Sequence, residues 1–267
     1  MGLFHSPKIV TDGLVFCLDM ANPKCYPGGF GLKSGGMKDL SLNPVGTGND
    51  LFFFTNSGDG PDFVDEGDNS IRSHFHFTAS ERNRITFEND HGGSHNILTK
   101  MGHSGSGTEG LPFTVEFVIR LETIPTGFGA NAFSIGGHLS QGFGVQVHDN
   151  ANNAHGAINI GYRGNSNLKN NDSPVKAGEW YYGAVTRDSG NSSSGVVKWY
   201  DKSGLSKTVT NTNITTTWTT SNFLIGDNTS GIGAMDGDIA LYRLYKKELS
   251  ADQISNNFEA IRGRYGL

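Results

Sequence analysis

From residue 13 to residue 246 the chain is made of short runs in which apolar and polar side chains alternate. Clusters of Gly, Asn, Asp and Ser separate the runs, which is the signature of strands joined by turns. The clearest run is Pro112 to Leu121. Val115, Phe117, Ile119 and Leu121 fall on one face, and Thr114, Glu116, Val118 and Arg120 on the other, as a period of two requires. Similar runs predict strands over Gly13–Asp19, Ile71–Phe77, Arg84–Phe87, Ala132–Gly136, Phe143–His148 and Ala157–Tyr162. Further ones follow over Glu179–Arg187, Val196–Asp201, Ser206–Thr210, Asn222–Gly226 and Gly237–Lys246. A dozen strands with no helix between them predict an all-β, two-sheet antiparallel sandwich.

The period changes at the C-terminus. Ser250 is an N-cap and Gln253, three residues on, completes a capping box. Ile254, Phe258 and Ile261 then form one stripe and Gly263 supplies a stop, which predicts a short helix over 250–263. Residues 1–11 read as an arm and 12–267 as one domain. The stretches Asn22–Asn49, Asn56–Ser70, His91–Gly110 and Asn165–Gly178 are too long for hairpin turns, so they read as loops that bear function or are ordered by a partner.

Composition narrows the function. With 267 residues the chain can build a core without covalent staples. Its 21 basic residues against 26 acidic ones give a net charge of −5, so no basic surplus is available to displace counterions from nucleic acid. Two cysteines, Cys17 and Cys25, exclude a disulfide-dense scaffold and any Cys-rich metal site. They are either a pair or two reduced thiols. Wholly apolar runs such as Leu51 to Phe54 are only a few residues long, too short for a helix to span a membrane. The opening MGLFHSPKIV lacks the basic start and apolar stretch of a secretory leader, although it formally fits Met-Gly-x-x-x-Ser.

Four segments carry a resemblance. The first runs from Ile9 through Asp12-Gly13-Leu14-Val15 and Leu18-Asp19-Met20-Ala21-Asn22-Pro23-Lys24 to Tyr26-Pro27-Gly28, followed by Lys38-Asp39-Leu40-Ser41. The second is Phe113-Thr114-Val115-Glu116-Phe117-Val118-Ile119. The third joins Glu179-Trp180-Tyr181-Tyr182 to Val196-Val197-Lys198-Trp199-Tyr200. The fourth runs from Gly237-Asp238-Ile239-Ala240 through Leu249-Ser250-Ala251-Asp252-Gln253-Ile254 to Arg262-Gly263-Arg264-Tyr265-Gly266-Leu267. Together they make the chain resemble the concanavalin A-like, laminin-G-type jelly roll of tailed-bacteriophage virion proteins. A Trp or Tyr often precedes Asp-Leu-Ser in those proteins, and Met37-Lys38 stands there instead. The resemblance implies a non-enzymatic structural protein, a capsid decoration or a neck or tail appendage docking on repeated sites of the virion. It further implies assembly in the host bacterial cytoplasm, other virion proteins as partners, and a homo-oligomer, a trimer by analogy. The alternative is a lectin-like adhesin that contacts a host glycan.

Glucanases of related fold carry Glu-x-Asp-x-x-Glu on one strand, and no such motif occurs. Glu116 and Glu122 are six residues apart, or about 20 Å on a straight strand. Paired glycosidase carboxyls stand about 5–9.5 Å apart. His74 and His76 share one strand face, while Phe75 and Phe77 face the core. The pair reads as solvated or interface histidines, or as half of a zinc site completed by His91, His95 or His103. Asp227, Asn228, Asp236 and Asp238 crowd the turn before the last strand and offer the oxygen ligands calcium prefers, although turn chemistry also places Asp and Asn beside Gly. Of the three tryptophans, Trp180 and Trp199 lie in predicted strands and read as core. Trp218, in a Thr-rich run, reads as exposed and able to stack on a sugar or anchor a partner. No catalytic residues and no cofactor are expected, with calcium as a candidate ion.

Overall fold

The computed structural model describes residues 8–26, 37–38, 40–41, 50–54, 60–65, 73–87, 101–102, 111–125, 129–137, 141–150, 153–162, 169–188, 195–212, 223–227 and 233–267. Sixteen strands occur among them: β1 (Leu14–Asp19), β2 (Met37–Lys38), β3 (Asp50–Phe54), β4 (Asp62–Val64), β5 (His74–Phe77), β6 (Arg84–Phe87), β7 (Phe113–Leu121) and β8 (Ala130–Gly137). The rest are β9 (Gln141–Asn150), β10 (Asn153–Tyr162), β11 (Lys169–Val175), β12 (Tyr181–Arg187), β13 (Gly195–Asp201), β14 (Gly204–Thr212), β15 (Phe223–Ile225) and β16 (Gly237–Tyr245). Two short helices, α1 (Ala251–Glu259) and α2 (Arg262–Tyr265), end the chain.

The strands form two antiparallel sheets of eight. The first runs β14-β13-β12-β7-β16-β5-β4, with β1 added to the free half of β16's edge; the second runs β11-β10-β9-β8-β15-β6-β3-β2. This is the sandwich that the alternation predicts. All twelve predicted strands are present. Four more, β2, β3, β4 and β11, were not foreseen, and β2, β4 and β11 lie inside stretches read as irregular.

The alternation on β7 has a consequence on both faces. Val115, Phe117, Ile119 and Leu121 join the core between the sheets, with Phe133, Val145 and Val147 of the opposite sheet. Val118, on the other face, is equally buried, because α1 and α2 cover the outside of the first sheet. Phe117 fits because its cross-strand neighbour is Gly183. A Cβ at Gly183 would meet the Phe117 ring at 2.5 Å.

The helical cover follows from its sequence. Ser250 Oγ accepts from the Gln253 amide at 3.2 Å, and Gln253 Oε1 accepts from the Ser250 amide at 3.0 Å. Ile254, Phe258, Ile261 and Tyr265 are buried on Leu14, Cys17, Tyr182, Leu241 and Tyr245. Each such side chain contributes about 1.5–3 kcal/mol of burial. The predicted stop at Gly263 is corrected: Gly263 lies within α2, and Gly266, at φ 65°, ends it. The left-handed conformation is cheap for glycine. The chain's start is tied to the same helix, as Val10 donates its amide to Asn257 Oδ1 at 2.7 Å and Asn256 Nδ2 donates to the Lys8 carbonyl at 2.7 Å.

Cys17 and Cys25 are buried and not joined in a disulfide. They belong to different cores, Cys17 under the helices and Cys25 between the sheets. Among the described residues no helix is long and apolar enough to cross a membrane.

Candidate functional site

The helix-bearing side of the sandwich carries a groove formed by two adjoining hollows of about 200 and 140 Å³. They share Tyr182, Asp201, Lys202 and Ser203. Together they reach the low end of ligand pockets, about 300–1,000 Å³. One wall is β11, through Asp172 and Pro174, and the turn that joins it to β12, through Lys176, Glu179 and Trp180. The tight β13–β14 hairpin, Asp201 to Gly204, forms the middle. The far wall is α1, through Ala251, Ser255 and Glu259.

Trp180 stands at the head of this groove and is half-buried, so its reading as a core residue is corrected. Trp180 precedes β12, and the indole lies against three side chains of the sheet's outer surface and α2. The Arg120 guanidinium sits 4.9 Å from its ring centroid, the His74 ring meets it at 5.3 Å and the Tyr265 ring at 5.6 Å. Trp199 does lie in the core, 2% exposed.

A row of charged groups holds that clamp. Arg120 on β7, Asp238 on β16 and His76 on β5 are direct cross-strand neighbours. Asp238 therefore accepts from Arg120 Nε at 2.6 Å and stands 2.9 Å from His76 Nδ1 and 3.5 Å from His74 Nε2. Asp238 is nearly enclosed and His74 is 1% exposed. The reading of both histidines as solvated is thus corrected for His74, whose ring packs on Trp180; His76 keeps a half-open position. His91, His95 and His103 lie outside the described residues.

The acidic candidates are distributed rather than convergent. Glu116 is fully buried beneath α1, where it accepts from Tyr182 Oη at 2.9 Å and Asn257 Nδ2 at 2.9 Å, with Arg243 Nη1 at 3.5 Å. Burial, reinforced by the Glu116 charge, pushes the Tyr182 hydroxyl well above its ordinary range. Burial alone would lower Arg243, yet Glu116 reverses this and raises it. Glu122 is exposed at the end of β7, 4.0 Å from His76.

Three of the four residues weighed for calcium are described. Asp227 accepts from Arg82 at 2.8 and 3.1 Å. Asp236 Oδ1 accepts from the Ala79 amide at 3.3 Å. Asp238 is engaged as above. Two of the three carboxylates are matched to guanidinium groups, a donor set that suits an ion pair better than a divalent cation. Among the described residues no group of three or more His, Cys, Asp or Glu side chains is disposed to hold a metal. Asn228 and Trp218 lie outside the described residues.

Residues 91–255 match the profile of the concanavalin A-like lectin/glucanase superfamily, laminin-G type, and the chain belongs to that family. No curated protein matches it by sequence. Its fold is similar to domain 4 of AbnA, an extracellular arabinanase of Geobacillus stearothermophilus solved in complex with arabinotriose. That match has 14% identity and a TM-score of 0.57, and covers 93% of this chain and 99% of that one. The binding domain of botulinum neurotoxin DC, in complex with SialylT, is similar at 13% identity and a TM-score of 0.57, over 94% of this chain and 52% of that one. A sialidase of Trypanosoma rangeli gives 13% identity and a TM-score of 0.57 over 94% of this chain and 33% of that one. The chain thus spans about half of the neurotoxin domain and a third of the sialidase.

Proposed function

We propose that the chain is a non-catalytic, lectin-like recognition domain that binds carbohydrate in the groove beside Trp180. The observation that carries this reading is the groove itself: a clamped indole at its head and carboxylate, ammonium and hydroxyl groups from Asp172, Lys202 and Ser203 along its walls. A pyranose ring has an apolar face for the indole and hydroxyls for the polar rim, and such a division suits an aromatic-floored site. The arabinanase domain was solved with arabinotriose and the neurotoxin binding domain with SialylT, which supports the direction of recognition without catalysis. Glu116 lies beneath α1 and Asp238 is engaged by Arg120, so neither is offered to a substrate.

The finer proposal places this domain on the particle of a tailed bacteriophage, as a capsid decoration or a neck or tail appendage. The four sequence segments support it, above all the last strand followed by the capped helix and Arg262-Gly263-Arg264-Tyr265. Homo-oligomers on a symmetric shell would convert weak single contacts into avidity. Screening the protein and Trp180→Ala on a glycan array, with an assay for new reducing ends, tests the recognition reading. Retention that disappears in the variant, with no sugar released, is the expected result; hydrolysis would overturn the non-catalytic part. Image reconstruction of the particle tests the virion part, which falls if the chain is absent from it.

A further inference from the structure

Resting on the carbohydrate reading, we propose that this groove selects glycans bearing amino sugars and discriminates against uronic and sialic acids. The argument is the charge that the groove presents around a fixed aromatic platform. Glu179 is 3.7 Å from Lys176, and Glu259 accepts from Arg262 at 2.8 Å, so both are compensated locally. Asp172 and Asp201 then set the local field, against the single ammonium of Lys202.

The Asp201 carboxylate and the Asp172 backbone are held in place. Asp201 Oδ1 accepts from the Ser203 amide at 2.7 Å, which fixes it at the hairpin. The Asp172 amide donates to Asn170 Oδ1 at 3.0 Å, Asn170 Nδ2 donates to Ser206 Oγ at 2.8 Å, and Ser206 Oγ donates to the Trp199 carbonyl at 3.2 Å. Asn170 is only 1% exposed. This chain of bonds ties the β11 wall to the β13–β14 hairpin, so the two backbone segments that carry Asp172 and Asp201 keep their spacing. Two anions carried on one wall and the hairpin attract an ammonium-bearing sugar and repel a carboxylate-bearing one.

The test is calorimetric titration with three trisaccharides of β-linked glucosamine, glucose (cellotriose) and α-linked galacturonate, at low and high salt. Each is run on the protein, on Trp180→Ala and on Asp172→Asn/Asp201→Asn, whose folding is checked by near-ultraviolet dichroism. The expected order is glucosamine, then glucose, then galacturonate. Glucosamine should lead galacturonate by about tenfold at low salt, given exposed pairs of about 0.2–1 kcal/mol each. High salt and the double Asn variant should both narrow that gap, and Trp180→Ala should abolish binding of all three. Equal affinities, or galacturonate bound tightest and lost in Trp180→Ala, would overturn the selectivity while leaving carbohydrate recognition standing. Binding untouched by Trp180→Ala would remove the groove as the site. If neither the trimers nor any arrayed glycan bound, the recognition reading itself would fall.

Discussion

Replacing Glu116 by Gln removes the charge that contributes most to compensating Arg243 beneath α1. Glu116 is 0% and Arg243 1% exposed, with Nη1 3.5 Å from Oε2. The carboxylate also accepts from Tyr182 and from Asn257, which belongs to α1, so the change reaches the helix as well as the sheet. Breaking one side of a buried pair costs about 3–5 kcal/mol, because the other charge stays desolvated. A domain's whole stability is about 5–15 kcal/mol. At about 2–4 °C per kcal/mol for a chain near this size, the midpoint of thermal unfolding should fall by about 6–20 °C. Scanning calorimetry measures it, and proteolysis should cut near the C-terminus sooner. The double change Glu116→Gln/Arg243→Met should recover much of the loss, since it removes the stranded charge. A midpoint lowered by less than about 2 °C would refute the reasoning.

Three further outcomes are expected. Arg264→Ala strips the two bonds of 2.8 Å that join α2 to Asp19; hydrogen bonds to charged groups contribute about 1.5–3 kcal/mol, and urea unfolding should show a loss of that order. Burial raises the pKa of Tyr182, Tyr242, Tyr245 and Tyr265 in the folded chain. Their contribution to stability is therefore complete below about pH 10 and is lost as pH climbs through the raised folded values. The share of the phenolate absorbance due to these four of the eight tyrosines should appear only with unfolding, and ionisation of more than four tyrosines in a chain still folded would contradict the burial. Chelation by EDTA should leave the melting temperature unchanged, because Asp227 and Asp238 are matched by Arg82 and Arg120; a clear drop would favour the calcium reading.

The sandwich was legible because β7 alternates along most of its length, and because Ser250 and Gln253 announce the last helix. β11 escaped notice for a physical reason. As an edge strand it reads Lys-Asn-Asn-Asp-Ser-Pro-Val, and Asn170 is buried through a hydrogen bond instead of an apolar contact. The histidine pair misled because an aromatic neighbour, Trp180, closes over His74 from a segment about a hundred residues away. The groove was invisible for the same reason. Its walls come from the β11–β12 turn, a hairpin and a helix that meet only when the first sheet is assembled.

The most direct measurement is the position of a bound sugar, from a crystal structure grown with the tightest glycan. The account predicts an intact saccharide with one ring on Trp180, between Asp172 and the Asp201 hairpin. A saccharide cleaved in the crystal, or one seated on the outer face of the opposite sheet with the groove empty, would contradict it.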